Sequence, residues 1–221
     1  MTATTSFGDY GAPLGVECAW RPAAEPARRS LRNWLRPIAL LALAFGLWHG
    51  GQAAYIKAKA ELAQVLMQRS WQRTLAGAGP TKPWAWADTW PVARLIVAGH
   101  DVDLFVLAGA DGRALAFGPG HVYGTPAPGT PGNSVIGGHR DTHLHFLKDV
   151  RIGEEFRVQR PDGHWLAYRV TQTRVTDKDD LSPLDQDGPT RLTLVTCWPF
   201  GALRAGGPQR YVVTAVATSH G

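Results

Sequence analysis

The sequence predicts an all-β fold, an eight-stranded barrel with short helices, preceded by an N-terminal helical extension. Three observations carry this. The 221 residues include 25 Gly and 16 Pro, the punctuation of a chain with many turns. From residue 92 onward, short apolar or alternating segments recur between turn residues, as strands do. Ahead of them lies an uncharged apolar stretch at residues 37–56, PIALLALAFGLWHGGQAAYI. Hydrophobic residues at 44% and charged residues at 19% favour a packed core over disorder.

Residues 1–36 are rich in Pro, Ala and Arg and read as a poorly ordered cytoplasmic tail. Residues 37–56 just match a bilayer core of about 30 Å at helical rise. They read as a single-pass transmembrane signal anchor, made marginal by His49, Gln52 and the Gly50–Gly51 pair. A cleaved signal peptide, cut near Ala53, is the rival reading. Arg21, Arg28, Arg29, Arg32 and Arg36 precede this stretch. By the positive-inside rule they leave the N-terminus in the cytoplasm and the rest on the outer face of the cytoplasmic (inner) membrane. These arginines account for part of the net charge of +5. No nucleic-acid motif follows them.

Residues 57–91 are a juxtamembrane helix and connector. Helical spacing over 54–77 sets Tyr55, Ala58, Leu62, Leu66 and Trp71 on one apolar stripe. The connector, 78–91, carries Trp84, Trp86 and Trp90, suited either to a lipid interface or to capping the domain. Residues 92–221 form the remaining domain. Its candidate strands are 92–98, 102–108, 112–117, 133–138, 154–160, 164–176, 190–197 and 210–218, with a short helix near 143–150. Pro161-Asp162-Gly163 marks a hairpin. Residues 118–133, with five Gly and four Pro, read as a stiffened loop that is neither strand nor helix.

There are two cysteines, Cys18 and Cys197. A membrane span between them would forbid a disulfide, leaving Cys197 a lone thiol. The alternation of TRLTLVTC ends at Cys197 before Pro199 breaks the strand. A sheet can present a thiol there, although a free cysteine is often only a small buried hydrophobe. If 190–197 and 210–218 are antiparallel neighbours, Arg210 shares that rim and can support a thiolate or an oxyanion. Arg204, in FGALRAGGP, sits in what reads as a mobile loop. His139, after Gly137–Gly138, supplies an imidazole, and thiol plus imidazole suffice for acyl transfer. His121 ranks below it. HRDTHLH also permits a metal reading through His139, Asp141, His143 and His145. It matches neither HExxH nor HxxEH and leaves Cys197 unexplained.

The segments GPGHVYGTPAPGTPGNSVIGGHRDT, LTLVTC and QRYVV together resemble the sortase family of cysteine transpeptidases, over about residues 92–218. The helix AELAQVLMQRSW followed by KPWAWADTWPVARL is most similar to the class found in Gram-negative proteobacteria, class GN. The resemblance implies the eight-stranded sortase barrel, with His139, Cys197 and Arg210 as catalytic histidine, nucleophile and arginine. It implies a protein substrate bearing an LPxTG-like C-terminal sorting signal, cut between Thr and Gly through a thioester and passed to an amine or to water. It implies no cofactor. Some members bind calcium through acidic loops; Asp177, Asp179 and Asp180 cluster but match no such pattern. Two rival readings remain: a non-catalytic peptide-binding module using an edge strand of the same barrel, and a simple cysteine hydrolase of sorting signals. An L,D-transpeptidase would carry SxGC, which is absent.

Overall fold

A computed structural model of the chain describes residues 28–202, 204 and 206–218. The expectations for residues 1–27, including Cys18 and most of the basic tail, lie outside the described residues. The chain divides into two units, Met1–Gln52 and Ala53–Gly221, each described by itself.

Helix α1 (Arg28–Arg73) begins in the expected tail and includes Pro37. Up to Gln52 its large apolar residues, among them Leu40, Leu41, Phe45 and Trp48, are exposed. Among the described residues, no helix is long and apolar enough to cross a membrane. The expected span over 37–56 therefore forms as a helix but falls short in apolarity. Its apolar run stops at Trp48, and His49, Gly50, Gly51 and Gln52 interrupt the rest. A span needs about 20 predominantly apolar residues.

In the second unit α1 continues to Arg73 and ends in a π-type turn, Thr74–Ala78. Its buried stripe is Ala63, Met67, Ser70, Trp71 and Thr74, whereas Tyr55 and Leu62 are exposed. The expected stripe was right at Trp71 and rotated elsewhere. Met67 packs with Leu107 and Ala114. The Trp71 indole N–H donates to Gln159 Oε1 at 3.1 Å. In the connector, Trp84 meets Phe117 edge-on at 5.1 Å, while Trp86 is 83% exposed.

Eight strands close a barrel: β1 (Pro91–Val97), β2 (Val102–Ala108), β3 (Gly120–His121), β4 (Asn133–Gly137), β5 (Glu155–Gln159), β6 (Trp165–Asp177), β7 (Arg191–Trp198) and β8 (Gln209–Ala217). The order around the barrel is β1-β2-β3-β4-β7-β8-β6-β5. β2–β3 and β4–β7 are parallel; the other pairs are antiparallel. Alternation fills the interior with Leu95, Val106, Ile136, Phe156, Val158, Val170, Leu192, Leu194, Val213 and Ala215.

Three expectations are corrected. Residues 112–117 do not form a strand; Ala114–Ala116 make a 3-10 turn. The third strand instead lies inside the glycine- and proline-rich segment, at Gly120–His121. The absent side chain explains it: a Cβ on Gly120 would come within 2.1 Å of Gly109 O, so glycine alone lets the two backbones meet. The short helix expected near 143–150 is a 3-10 turn, His145–Lys148. Closure also removes the free sheet edge on which the edge-strand binding module relied.

Candidate active site

Two registers locate the three candidate residues. β4 runs parallel to β7 with Gly137 opposite Val195, and Gly138 N–H donates to Val195 O at 3.2 Å. His139 follows β4 by two residues and Cys197 lies two residues beyond Val195, so the register carries the chain of both toward the same end of the sheet. β7 runs antiparallel to β8 with Cys197 directly opposite Arg210. Core residues fix the faces: Leu192, Leu194, Val213 and Ala215 point inward, so by alternation Cys197 and Arg210 share the outward face. Two neighbouring strand ends, about 4.8 Å apart, thus present a thiol beside a guanidinium, and β4, the strand before His139, borders β7 on its other side. Cys197 is half-buried and unpaired; His139 is exposed and Arg210 half-buried.

Local chemistry holds these ends. Thr196 Oγ1 donates to Gly138 O at 2.8 Å, tying the end of β7 to the backbone that enters His139. A Cβ on Gly138 would lie 2.7 Å from Leu144 Cγ, so this approach needs glycine. Leu144 N–H donates to His139 O at 3.1 Å, which turns the chain away from the sheet immediately after the imidazole. Arg210 donates through Nη1 to Gly207 O at 2.7 Å and to Gln209 O at 2.9 Å.

The remaining histidines have other work. His145 donates from Nδ1 to Arg140 O at 3.1 Å and accepts from Lys148 Nζ at Nε2, 2.8 Å. His121 donates from Nε2 to Pro126 O at 2.9 Å, bracing the loop after β3; burial lowers its pKa. His143 is lowered by burial and by nearby His139. No three His, Cys, Asp or Glu side chains gather as a metal ion requires among the described residues. Asp180 accepts from Thr176 Oγ1 and from Ser182 N and Oγ; these bonds, Thr176 foremost, hold its carboxyl at about 2. It therefore serves its own turn.

Sequence reasoning passed over Arg140. Its side chain is buried, and it donates to the carbonyls of Pro199, Ala202 and Arg204. In the segment expected to be mobile, the carbonyls of Ala202 and Arg204 are thus held, while Arg204 is exposed. A cleft of about 590 Å³ lies apart from this site, lined by Leu62, Leu66, Trp84, Trp86 and Phe117 among others.

A closed mixed barrel with Cys197 and Arg210 paired at one end of β7 and β8 sets the class of protein. The sortase domain model matches residues 95–218, and the chain belongs to the sortase family. It is 31% identical to sortase D of Bacillus subtilis (strain 168) over 114 residues, 51% of this chain and 57% of that protein. It is 28% identical to sortase A of Listeria monocytogenes over 109 residues, 48% of this chain and 49% of that protein. The chain thus spans about half the length of these curated relatives. Its fold matches sortase C-1 of Actinomyces oris with a TM-score of 0.53 and 31% identity, over 59% of this chain and 76% of that one.

Proposed function

We propose that this chain is a cysteine transpeptidase that cleaves an LPxTG-like C-terminal sorting signal and transfers the product to an amine. The observation that supports this reading is the pairing of Cys197 with Arg210 across β7 and β8, beside the strand β4 that leads into His139. The Cys197 thiolate attacks the Thr carbonyl carbon. Negative charge develops on the carbonyl oxygen, where the Nε–H and Nη2–H edge of Arg210 donates. The Thr–Gly bond breaks as the His139 imidazolium gives its proton to the leaving amine. An incoming amine, deprotonated by His139, then attacks the thioester and releases Cys197. Water in place of the amine makes the same site a hydrolase.

The enzyme with an LPxTG peptide is expected to gain the mass of the fragment through Thr, on Cys197. Cys197→Ala is expected to lose cleavage and acylation while keeping the fold. Mass spectrometry with and without an added amine reads both, and separates transfer from hydrolysis. Undiminished turnover in Cys197→Ala would sink the mechanism.

The same reading tethers the domain to the outer face of the cytoplasmic membrane through the exposed apolar part of α1. The support is its uncovered apolar surface together with the arginines before it. The class GN assignment rests on residues 60–71 and 82–95, almost all of which precede the matched domain.

A further inference from the structure

Arg140 is 2% exposed, and its only ion pair among the described residues is with Asp141, at 3.2 Å and 61% exposed. Burying a guanidinium without a buried counter-ion is costly unless its donors are satisfied. Here carbonyls satisfy them: Nη1 donates to Pro199 O at 2.9 Å, and Nη2 to Ala202 O at 2.6 Å and Arg204 O at 2.7 Å. All three acceptors belong to one segment, the loop between β7 and β8. A planar fork can gather several carbonyls at fixed angles; an ammonium cannot.

The far end of the same loop meets Arg210, whose Nη1 donates to Gly207 O at 2.7 Å. Gly207 itself lies against the strand end, since a Cβ there would stand 2.9 Å from Trp198 O. One buried guanidinium therefore shapes the start of the loop, and the loop in turn holds a second guanidinium beside Cys197. Arg140 also follows His139 directly in the chain, so the relay links the backbone of the imidazole to the setting of Arg210.

We propose that Arg140 is a positioning residue, which fixes the β7–β8 loop and through it aims Arg210 at the reacting carbonyl. This rests on the reading of Arg210 as the oxyanion donor. A group displaced by about 1 Å loses up to about 100-fold in rate, so the relay has a measurable weight.

The test is a double-mutant cycle in the full chain, reading the acylation rate of Cys197 by an LPxTG peptide. Arg140→Lys is expected to cost about 10- to 100-fold alone. In an Arg210→Ala background the same change is expected to cost less than about 3-fold, because residues acting through one another are not additive. Alkylation of Cys197 by iodoacetamide needs the thiolate but no oxyanion donor, so it should keep its wild-type pH profile in Arg140→Lys. Trypsin cleavage after Arg204 should accelerate in that variant, as the loop is released. Should Arg140→Lys not fold, Gly207→Ala displaces the loop from its other end and should give a loss of the same kind.

An equal loss in both backgrounds, or a parallel collapse of alkylation, would make Arg140 a fold determinant and overturn the proposal. So would full activity in a folded Gly207→Ala. If Arg210→Ala is crippled while Arg140→Lys is normal, the positioning inference alone fails. If Arg210→Ala itself is normal, the reading of Arg210 fails and the relay with it.

Discussion

The guanidinium of Arg210 has five N–H donors, and Nη1 is committed to Gly207 O and Gln209 O. Among the described residues these are its hydrogen bonds, and the proposed mechanism uses the Nε–H and Nη2–H edge as the fork. Losing such a donor typically costs about 100- to 1000-fold in turnover. Arg210→Ala is expected to fall in that range, and Arg210→Lys nearly as far, because an ammonium lacks the planar fork. Arg204→Ala should cost no more than several-fold, since it is the Arg204 carbonyl, not its side chain, that is engaged. Rates of thioester formation in the three variants decide; a crippled Arg204→Ala beside a normal Arg210→Ala would refute the strand-end geometry. The pairing of Cys197 with Arg210 was legible because antiparallel neighbours joined by a loop must align the end of one with the start of the next. Arg140 was not legible. Arginine is rarely buried, and its carbonyl partners lie far along the chain, where residue types give no hint of acceptors. The one available signal was parity: the residue after an exposed His139 turns the other way.

Among the elements, α1 shows how a nearly correct periodicity still misplaces a face. Ala63, Met67, Ser70, Trp71 and Thr74 are buried, so two small polar residues lie in the seam that an apolar stripe was expected to fill. Ser70 and Thr74 are there because each bonds a carbonyl: Ser70 Oγ that of Thr81, Thr74 Oγ1 that of Gly79 at 3.0 Å. Hydropathy does not register such bonds. Trp71 is fully buried, near Phe105 at 6.5 Å between ring centroids, and bonded to Gln159. Trp71→Ala is therefore expected to destabilise the second unit by about 3–5 kcal/mol, the usual range for a buried aromatic. Thermal or denaturant unfolding measures this, and a loss under about 1 kcal/mol would mean that α1 does not dock as described. Two-residue β3 was hidden for a related reason. Its sequence carries no strand propensity, and a backbone contact that tolerates no Cβ at Gly120 makes the strand.

For the molecule as a whole, strand recurrence and turn chemistry made the barrel legible, and seven of its strands fall where alternation put them. Closure, and the parallel β4–β7 pair that brings Gly137 beside Val195, came from long-range contacts that no local pattern encodes. The N-terminal region was legible only as an apolar stretch. Whether a segment of this kind enters a bilayer depends on its polar interruptions and its flanking charges together. The proposed tether predicts that a reporter working only outside the cytoplasm is active when fused after Gly221, and that a cytoplasmic reporter there is silent. An active cytoplasmic reporter would reverse the orientation.

The spatial order β4-β7-β8 around Cys197 is not the order of synthesis, in which the β5–β6 pair intervenes. A growing chain therefore exposes its cysteine before the strand bearing Arg210 exists, and after a histidine that nothing yet holds nearby. Until the last strand adds, residue 197 lacks the neighbour that β8 brings opposite it. Under the proposed mechanism the site is then assembled only with the completed topology, so that an unfinished chain carries the cysteine without its partners.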